Sequence, residues 1–245
     1  MHPEKPSLEK TIVRFRGFTL TELLVVITII AVLAALLFPL AKNMKAGAQA
    51  AQAISRIRQC GAIVLQKTAE NNNFLMIHAH GTSVNMEDLR LYGMVQEATG
   101  MVKDEDIGRL VYTPAYEKQA VGSWPVWGVN YDDNLQIGVD WETVWVERGG
   151  EQRYLQGLRL TKCREPQKYP LLADTSNSAG APRANFGTDR EHKFAMRYRS
   201  KGPVFFLDGS CQQIGREEMS RYGLTQAYLF KDNPVLKPTL LTAGQ

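Results

Sequence analysis

The chain has 245 residues, enough for one medium domain with an anchor or for two small domains. Its 29 Lys and Arg against 25 Asp and Glu give a formal charge of +4, and 44% hydrophobic with 22% charged residues excludes a disordered, collagen-like or low-complexity chain. The excess charge is too small, and basic runs too short, to predict a nucleic-acid partner. Three Cys, with no CxxC or Cys/His spacing, exclude a disulfide-framed mini-protein and give no zinc signature.

Residues 18–40 read FTLTELLVVITIIAVLAALLFPL, 23 residues with one charge, Glu22. At about 1.5 Å per residue the segment reaches roughly 34 Å as a helix, enough to cross a hydrocarbon core of about 30 Å. Lys5, Lys10, Arg14 and Arg16 precede it, with Glu4 and Glu9. The basic pair beside the apolar run predicts a cytoplasmic N-terminus and an exported remainder. A secretory signal would have a shorter apolar core followed by a small-x-small cleavage site. Here the processing signal, Arg16-Gly17, comes before the apolar run, so cleavage would leave the membrane helix on the mature chain. Glu22 is expensive in lipid and is a functional candidate for that reason. Either it sits near the helix end and reaches the headgroups, or a charge balances it. Cleavage after Gly17 would free an α-amino group on Phe18, four residues before Glu22, and a neighbour's ammonium could neutralise the carboxylate.

The run Arg16-Gly17-Phe18-Thr19-Leu20-Thr21-Glu22-Leu23-Leu24-Val25-Val26-Ile27 resembles the class III signal of type IV pilins and type II secretion pseudopilins. Thr21 departs from it, where an apolar residue is commoner. The resemblance implies cleavage after Gly17 by a prepilin peptidase, N-methylation of Phe18, and a register-setting role for Glu22 in assembly. Pro39 falls where many members of the family carry a helix-bending proline, and its missing N–H should loosen the helix near Ala35.

Beyond the membrane, Leu40, Met44, Ala48, Ala51, Ile54, Ile57, Gly61, Val64, Leu65 and Thr68 recur at helical steps, with Lys42, Lys45, Gln49, Gln52, Arg56, Arg58 and Lys67 on the other faces. One helix from residue 18 to about 70 is expected, roughly 80 Å long. It would serve a filament core or, alternatively, a coiled-coil stalk. Asn71-Asn72-Asn73 should end it. Asn85-Met86-Glu87-Asp88 begins a short helix, with Asn85 as N-cap. Residues 110–113, 126–131, 141–146, 170–173 and 204–207 are strand-like. Asp208-Gly209 predicts a two-residue type I′ hairpin turn between the last of these and residues 210–214. Residues 231–245 read as an extended tail. The expected fold is α+β and pilin-like, the end of the long helix packing on an antiparallel sheet. The expected boundaries are a leader over 1–17, a membrane half over 18–40, an amphipathic half over 41–70, a globular head over 71–230 and the tail.

Arg197-Tyr198-Arg199-Ser200-Lys201-Gly202-Pro203-Val204-Phe205-Phe206-Leu207-Asp208-Gly209 resembles the closing signature of a large pseudopilin-like group, a His, nine residues, then Asp-Gly. Tyr198 occupies the place of the His, so no role of that His carries over. Trp127-Gly128-Val129-Asn130 and Leu171-Leu172-Ala173-Asp174 are similar to weaker patterns of the same group.

Other clusters have plain readings. His78-Ala79-His80 puts two imidazoles on one side of an extended segment, with no third ligand identifiable. Asp132, Asp133, Asn134 and Asp140 offer oxygen ligands of the kind calcium prefers, without EF-hand spacing; a polar turn explains them as well. Cys163 and Cys211 could pair in an exported domain, and Cys60 reads as a packing residue on the helix. Trp124, Trp127, Trp141 and Trp145 supply either core packing or an exposed aromatic groove for a glycan or partner. Asp189, Glu191 and His192 make a generic charged turn, and no catalytic motif emerges.

The resemblance thus implies a structural, non-enzymatic subunit of a type II secretion-like pseudopilus or type IV pilus-like filament, with no cofactor expected beyond the calcium that the Asp132–Asp140 cluster could hold. It would be single-pass in a bacterial inner membrane with a periplasmic head. Its expected partners are a prepilin peptidase, an inner-membrane assembly platform and other pilins or pseudopilins. The competing reading is an exported ligand-binding protein or enzyme that uses a prepilin-like signal.

Overall fold

A computed structural model describes residues 19–80, 91–101, 103–115, 127–130, 141–148, 151–182, 185–187, 192–231 and 238–243. The chain divides into two units, Met1–Met44 and Lys45–Gln245. Helix α1 spans Leu20–Glu70 and continues through Pro39, with acidic Glu22 in its first turn and basic Lys67 in its last, each suited to the helix dipole. Asn72 and Asn73 both take left-handed φ (55° and 58°), and Phe74 N–H donates to the Asn71 carbonyl at 3.0 Å. Asparagine tolerates this conformation better than most residues, so the asparagine run turns the chain out of the helix as expected.

Three strands follow one antiparallel order, β1 (Phe74–His80), β4 (Glu151–Arg159) and β3 (Trp141–Arg148). The second sheet contains β2 (Trp127–Asn130), β5 (Pro170–Ser176), β6 (Asn185–Phe186), β7 (Lys193–Met196), β8 (Lys201–Phe206), β9 (Cys211–Gly215), β10 (Gln226–Leu229) and β11 (Thr239–Thr242). β5 is its centre, antiparallel to β2, β7 and β8, and is buried at all seven positions. Among the described residues only β2–β6 and β7–β10 run parallel. The fold is therefore α+β, with a long N-terminal helix and an antiparallel-rich β region, as the sequence predicts. Two further helices, α2 (Leu91–Thr99) and α3 (Asp104–Val111), precede β2, and the short α4 (Arg216–Met219) follows β9.

The second half of α1 buries Ala53, Arg56, Ile57, Cys60, Gly61, Val64 and Thr68, a stripe at steps of three and four. Ile57, Gly61, Val64 and Thr68 belong to the expected face. Ala48 and Ala51 are exposed instead, and Arg56, expected on a solvent face, is almost fully buried. The stripe is rotated because Arg56 has a buried partner: its guanidinium donates to the Tyr112 carbonyl at 3.1 Å, just past the end of α3. Gly61 is forced by contact. A β-carbon there would come within 2.4 Å of the Phe205 ring, so β8 lies directly on the helix backbone. Around this line Leu171, Leu172, Trp127 and Leu158 complete the main core.

Residues 110–113 correct the expectation of a strand. Ile107, Leu110 and Val111 follow an i, i+3, i+4 pattern within α3, and only Tyr112 and Thr113 lie beyond it. The carbonyl of Leu110, left unsatisfied by the helix end, receives the Trp127 Nε1–H at 2.8 Å and the Cys60 thiol at 3.4 Å. The helix start expected at Asn85 lies outside the described residues, as do Val126 and Tyr131 at the edges of the strand that becomes β2. In the expected tail, Thr239–Thr242 forms β11 against β10.

The Asp208-Gly209 hairpin joins β8 and β9 as expected, but not by a type I′ turn. Phe206 N–H donates to the Ser210 carbonyl at 2.9 Å and Gly209 N–H to the Phe206 carbonyl at 3.0 Å, leaving three residues in the loop. Gly209 alone has positive φ (86°), and Asp208 accepts from the Ser210 N–H at 2.8 Å. This is the three-residue loop that ends in a left-handed glycine. The two-residue turn with both φ positive is at Arg199 (52°) and Ser200 (61°), where Tyr198 and Lys201 exchange backbone hydrogen bonds of 2.9 and 3.0 Å.

Candidate functional site

Two places concentrate the residues singled out by sequence. The first is the start of α1. Thr19 Oγ1 accepts from the Glu22 N–H at 3.3 Å, while Glu22 Oε2 accepts from the Thr19 N–H and hydroxyl, both at 2.8 Å. Thr19-Leu20-Thr21-Glu22 is thus a reciprocal capping box that satisfies donors the helix end would otherwise leave bare. The sequence reading passed over Thr19, although a Thr three residues before a Glu and ahead of an apolar run is the signal of such a cap. All residues from 19 to 38 are exposed, including leucine, isoleucine, valine and Phe38 side chains on every face of the helix. By length and composition this part of α1 can cross a membrane. An exposed apolar surface on all sides calls for lipid or neighbouring helices. Gly17 and Phe18 lie outside the described residues, and of Pro39 only the helical backbone is described.

The second place is buried in the β region, where the weaker sequence patterns converge. Trp127 pairs with Asp174 across β2 and β5, and β8 lies against the other edge of β5. Asp174 and Arg197 form an ion pair at 3.1 Å with both side chains fully buried. Arg197 also donates to the carbonyls of Thr175 (2.9 Å) and Gly180 (3.3 Å), and its guanidinium lies 4.1 Å from the centre of the Phe230 ring. Thr113 donates to Asp174 at 3.2 Å, and the Tyr198 hydroxyl hydrogen-bonds Thr113. Burial pushes the Asp174 carboxyl upward, and Arg197 and Thr113 pull against it. Burial, then the charge of Asp174, raises the Tyr198 phenol, which stays a neutral donor. Tyr198 therefore has a structural task where the resembling group has a His. Thr113 and Arg197 complete the network, and no sequence motif pointed to Thr113.

The remaining candidates separate. Cys60, Cys163 and Cys211 all carry free thiols, so the possible Cys163–Cys211 bridge is not formed. Burial raises the Cys60 thiol to about 12 and the Cys211 thiol to about 11, and Cys60 is the core residue expected. Trp127 is fully buried whereas Trp145 on β3 is 64% exposed, so the four tryptophans do not act as one set; Trp124 lies outside the described residues. His78 and His80 lie on β1, past a register shift after Met76. Asp132, Asp133, Asn134, Asp140, Asp189 and Glu191 lie outside the described residues, and His192 is half-buried. Among the described residues no group of three or more His, Cys, Asp or Glu is placed to hold a metal ion.

An open groove of about 520 Å³ lies at the end of α1, lined by Lys67, Phe74, Leu75, Met94, Val144 and Arg159 among others. Its cations are already engaged. Lys67 pairs with Glu97 at 2.8 Å and Glu70 at 3.1 Å, and Arg159 with Glu142 at 2.7 Å. The arrangement offers no acid–base pair or activated nucleophile.

No curated protein matches the chain, and no solved structure does. Residues 13–38 match the family model of the prokaryotic N-terminal methylation motif, so the chain carries the prepilin-type signal of type IV pilin-like and pseudopilin-like processed proteins.

Proposed function

We propose that the protein is a structural subunit of a type II secretion-like pseudopilus or type IV pilus-like filament. A prepilin peptidase cleaves the 1–17 leader after Gly17, and Phe18 becomes the N-methylated terminus. Residues 18–40 hold the subunit in a bacterial inner membrane with the head in the periplasm, and residues 41–70 join them to a head over 71–230 and a tail over 231–245. An assembly platform lifts the helix into a bundle of pilins or pseudopilins, where Glu22 pairs with a neighbour's Phe18 amine and Pro39 eases the packing. The chemistry is assembly rather than catalysis.

The observation that carries this reading is the matched motif at residues 13–38 running into a helix that is apolar and exposed on all sides. The capped geometry of Glu22 supports it. Both Thr19 donors bind Oε2, and a carboxylate has two oxygens with which to serve its own helix and a neighbour's ammonium. The test is Glu22→Ala and Glu22→Gln in full-length chain, followed by filament incorporation. Loss of incorporation with normal membrane insertion and head folding supports the reading. Undiminished incorporation of Glu22→Ala would defeat it.

The exposed Trp145 favours a second reading, an exported binding protein with an aromatic contact on β3. Under it, Trp145→Ala abolishes ligand capture while Glu22→Ala leaves function intact.

A further inference from the structure

We propose that the outer edge of β3 pairs with β3 of a second copy of this chain, joining two heads through one continuous sheet. β3 (Trp141–Arg148) holds β4 through eight consecutive residue pairs with no register shift. Among the described residues its other edge pairs with no strand, the order being β1-β4-β3. Long flat edges are usually blunted by a proline, a bulge or a lysine. WETVWVER contains no proline or lysine, and its ladder has no bulge. Its middle, Thr143-Val144-Trp145-Val146, carries no charge. Trp145 is 64% exposed, and Thr143 and Glu147 are exposed at the positions that share its face.

The charges near the two ends of the strand select both the occupant and the register. A two-fold axis at Trp145 sets two antiparallel copies side by side, Trp145 against Trp145 and Val144 against Val146. Thr143 then comes opposite Glu147, and Glu142 opposite Arg148, once on each side of the axis. Opposite charges across a ladder attract, and an aromatic pair adds to them. Moving the axis to Val144 or Val146 loses both charge pairs, setting Glu142 against Val146 or Arg148 against Val144. Glu142 binds Arg159 through Oε2 at 2.7 Å, while its Oε1 faces Lys162 at 3.9 Å, too far for a hydrogen bond. That oxygen can accept from a guanidinium across the new ladder. An acid and a base placed symmetrically about an exposed tryptophan match a second copy of the same strand, which specifies its own register.

The inference does not rest on filament assembly, because a two-fold contact closes on itself and propagates nothing. The test is crosslinking of the full chain in membranes with a short bismaleimide, in a Cys163→Ser, Cys211→Ser background. Each variant is first shown to keep the urea midpoint of the head. Opposed residues have β-carbons about 5 Å apart, whereas the two copies of Thr143 stand about 14 Å out of step along the strands. Trp145→Cys alone should give dimers. Thr143→Cys and Glu147→Cys should give them only when co-expressed. Arg148→Glu added to Trp145→Cys sets acid against acid twice and should cut the yield about tenfold. The dimers should form equally in Glu22→Ala, which separates this contact from assembly through α1. Absence of both crosslinks, or equal crosslinking of Thr143→Cys alone, would overturn the proposal and leave Trp145 to a different partner.

Discussion

The two halves of α1 are built for different partners. From residue 19 to residue 38 every side chain is exposed, and apolar residues cover the helix all round. From Ala53 to Thr68 a single stripe is buried against the chain's own sheets, while Gln59 and Arg58 face outward. One-sided periodicity means that the partner is within the same polypeptide. Apolarity on all sides of an exposed helix calls for an apolar surrounding such as lipid or a bundle of helices. Substitutions in the two halves should therefore be read out in different assays.

The sharpest break on the packed side comes from the ion pair beneath it. Arg197→Met leaves Asp174 buried without its cation and should lower head stability by about 3–5 kcal/mol, read as the urea midpoint. Next, Gly61→Ala drives a methyl group into the Phe205 ring, at an expected cost of about 1–3 kcal/mol with α1–β8 packing disturbed. Tyr198→Phe removes one buried hydroxyl from Thr113 and should cost about 1 kcal/mol. On the other half, Ile29→Ala and Leu33→Ala should leave head stability within about 0.5 kcal/mol while weakening membrane retention or assembly. A large loss of head stability from either would break the comparison.

The smallest effect is pH-dependent. The Arg159 hydrogen bond holds the Glu142 carboxyl below its ordinary value of 4.5. A depressed folded value gives stability that is present above 4.5 and lost as pH falls through the folded value. Glu142→Gln should therefore lower the neutral side of the thermal-midpoint curve slightly, leave its acid end nearly unchanged, and so flatten the fall between them.

Local signals made parts of the fold legible. The end of α1 at Glu70 could be read because three asparagines follow it, and β5 and β8 because branched and aromatic residues fill them. Residues 110–113 misled because Leu110 and Val111 suit a strand as well as a helix, and the carbonyl partners that favour the helix end lie far away, on Trp127, Cys60 and Arg56. Polar strands such as β4, EQRYLQGLR, gave no alternation to read and owe their place to pairing with β1 and β3. The Asp-Gly pair marked a hairpin correctly but not its type. The Arg-Ser pair, which forms the type I′ turn, carries no such signature. Of the site, Glu22 was visible as a lone charge in an apolar run. Thr113 was not, since its role depends on Asp174 and Tyr198 arriving from 61 and 85 residues away.

The most direct measurement is the mass and sequence of the native N-terminus of membrane-extracted protein. The account predicts a chain that begins at N-methylated Phe18. A native chain that begins at Met1, with the protein stable and assembled, would contradict it.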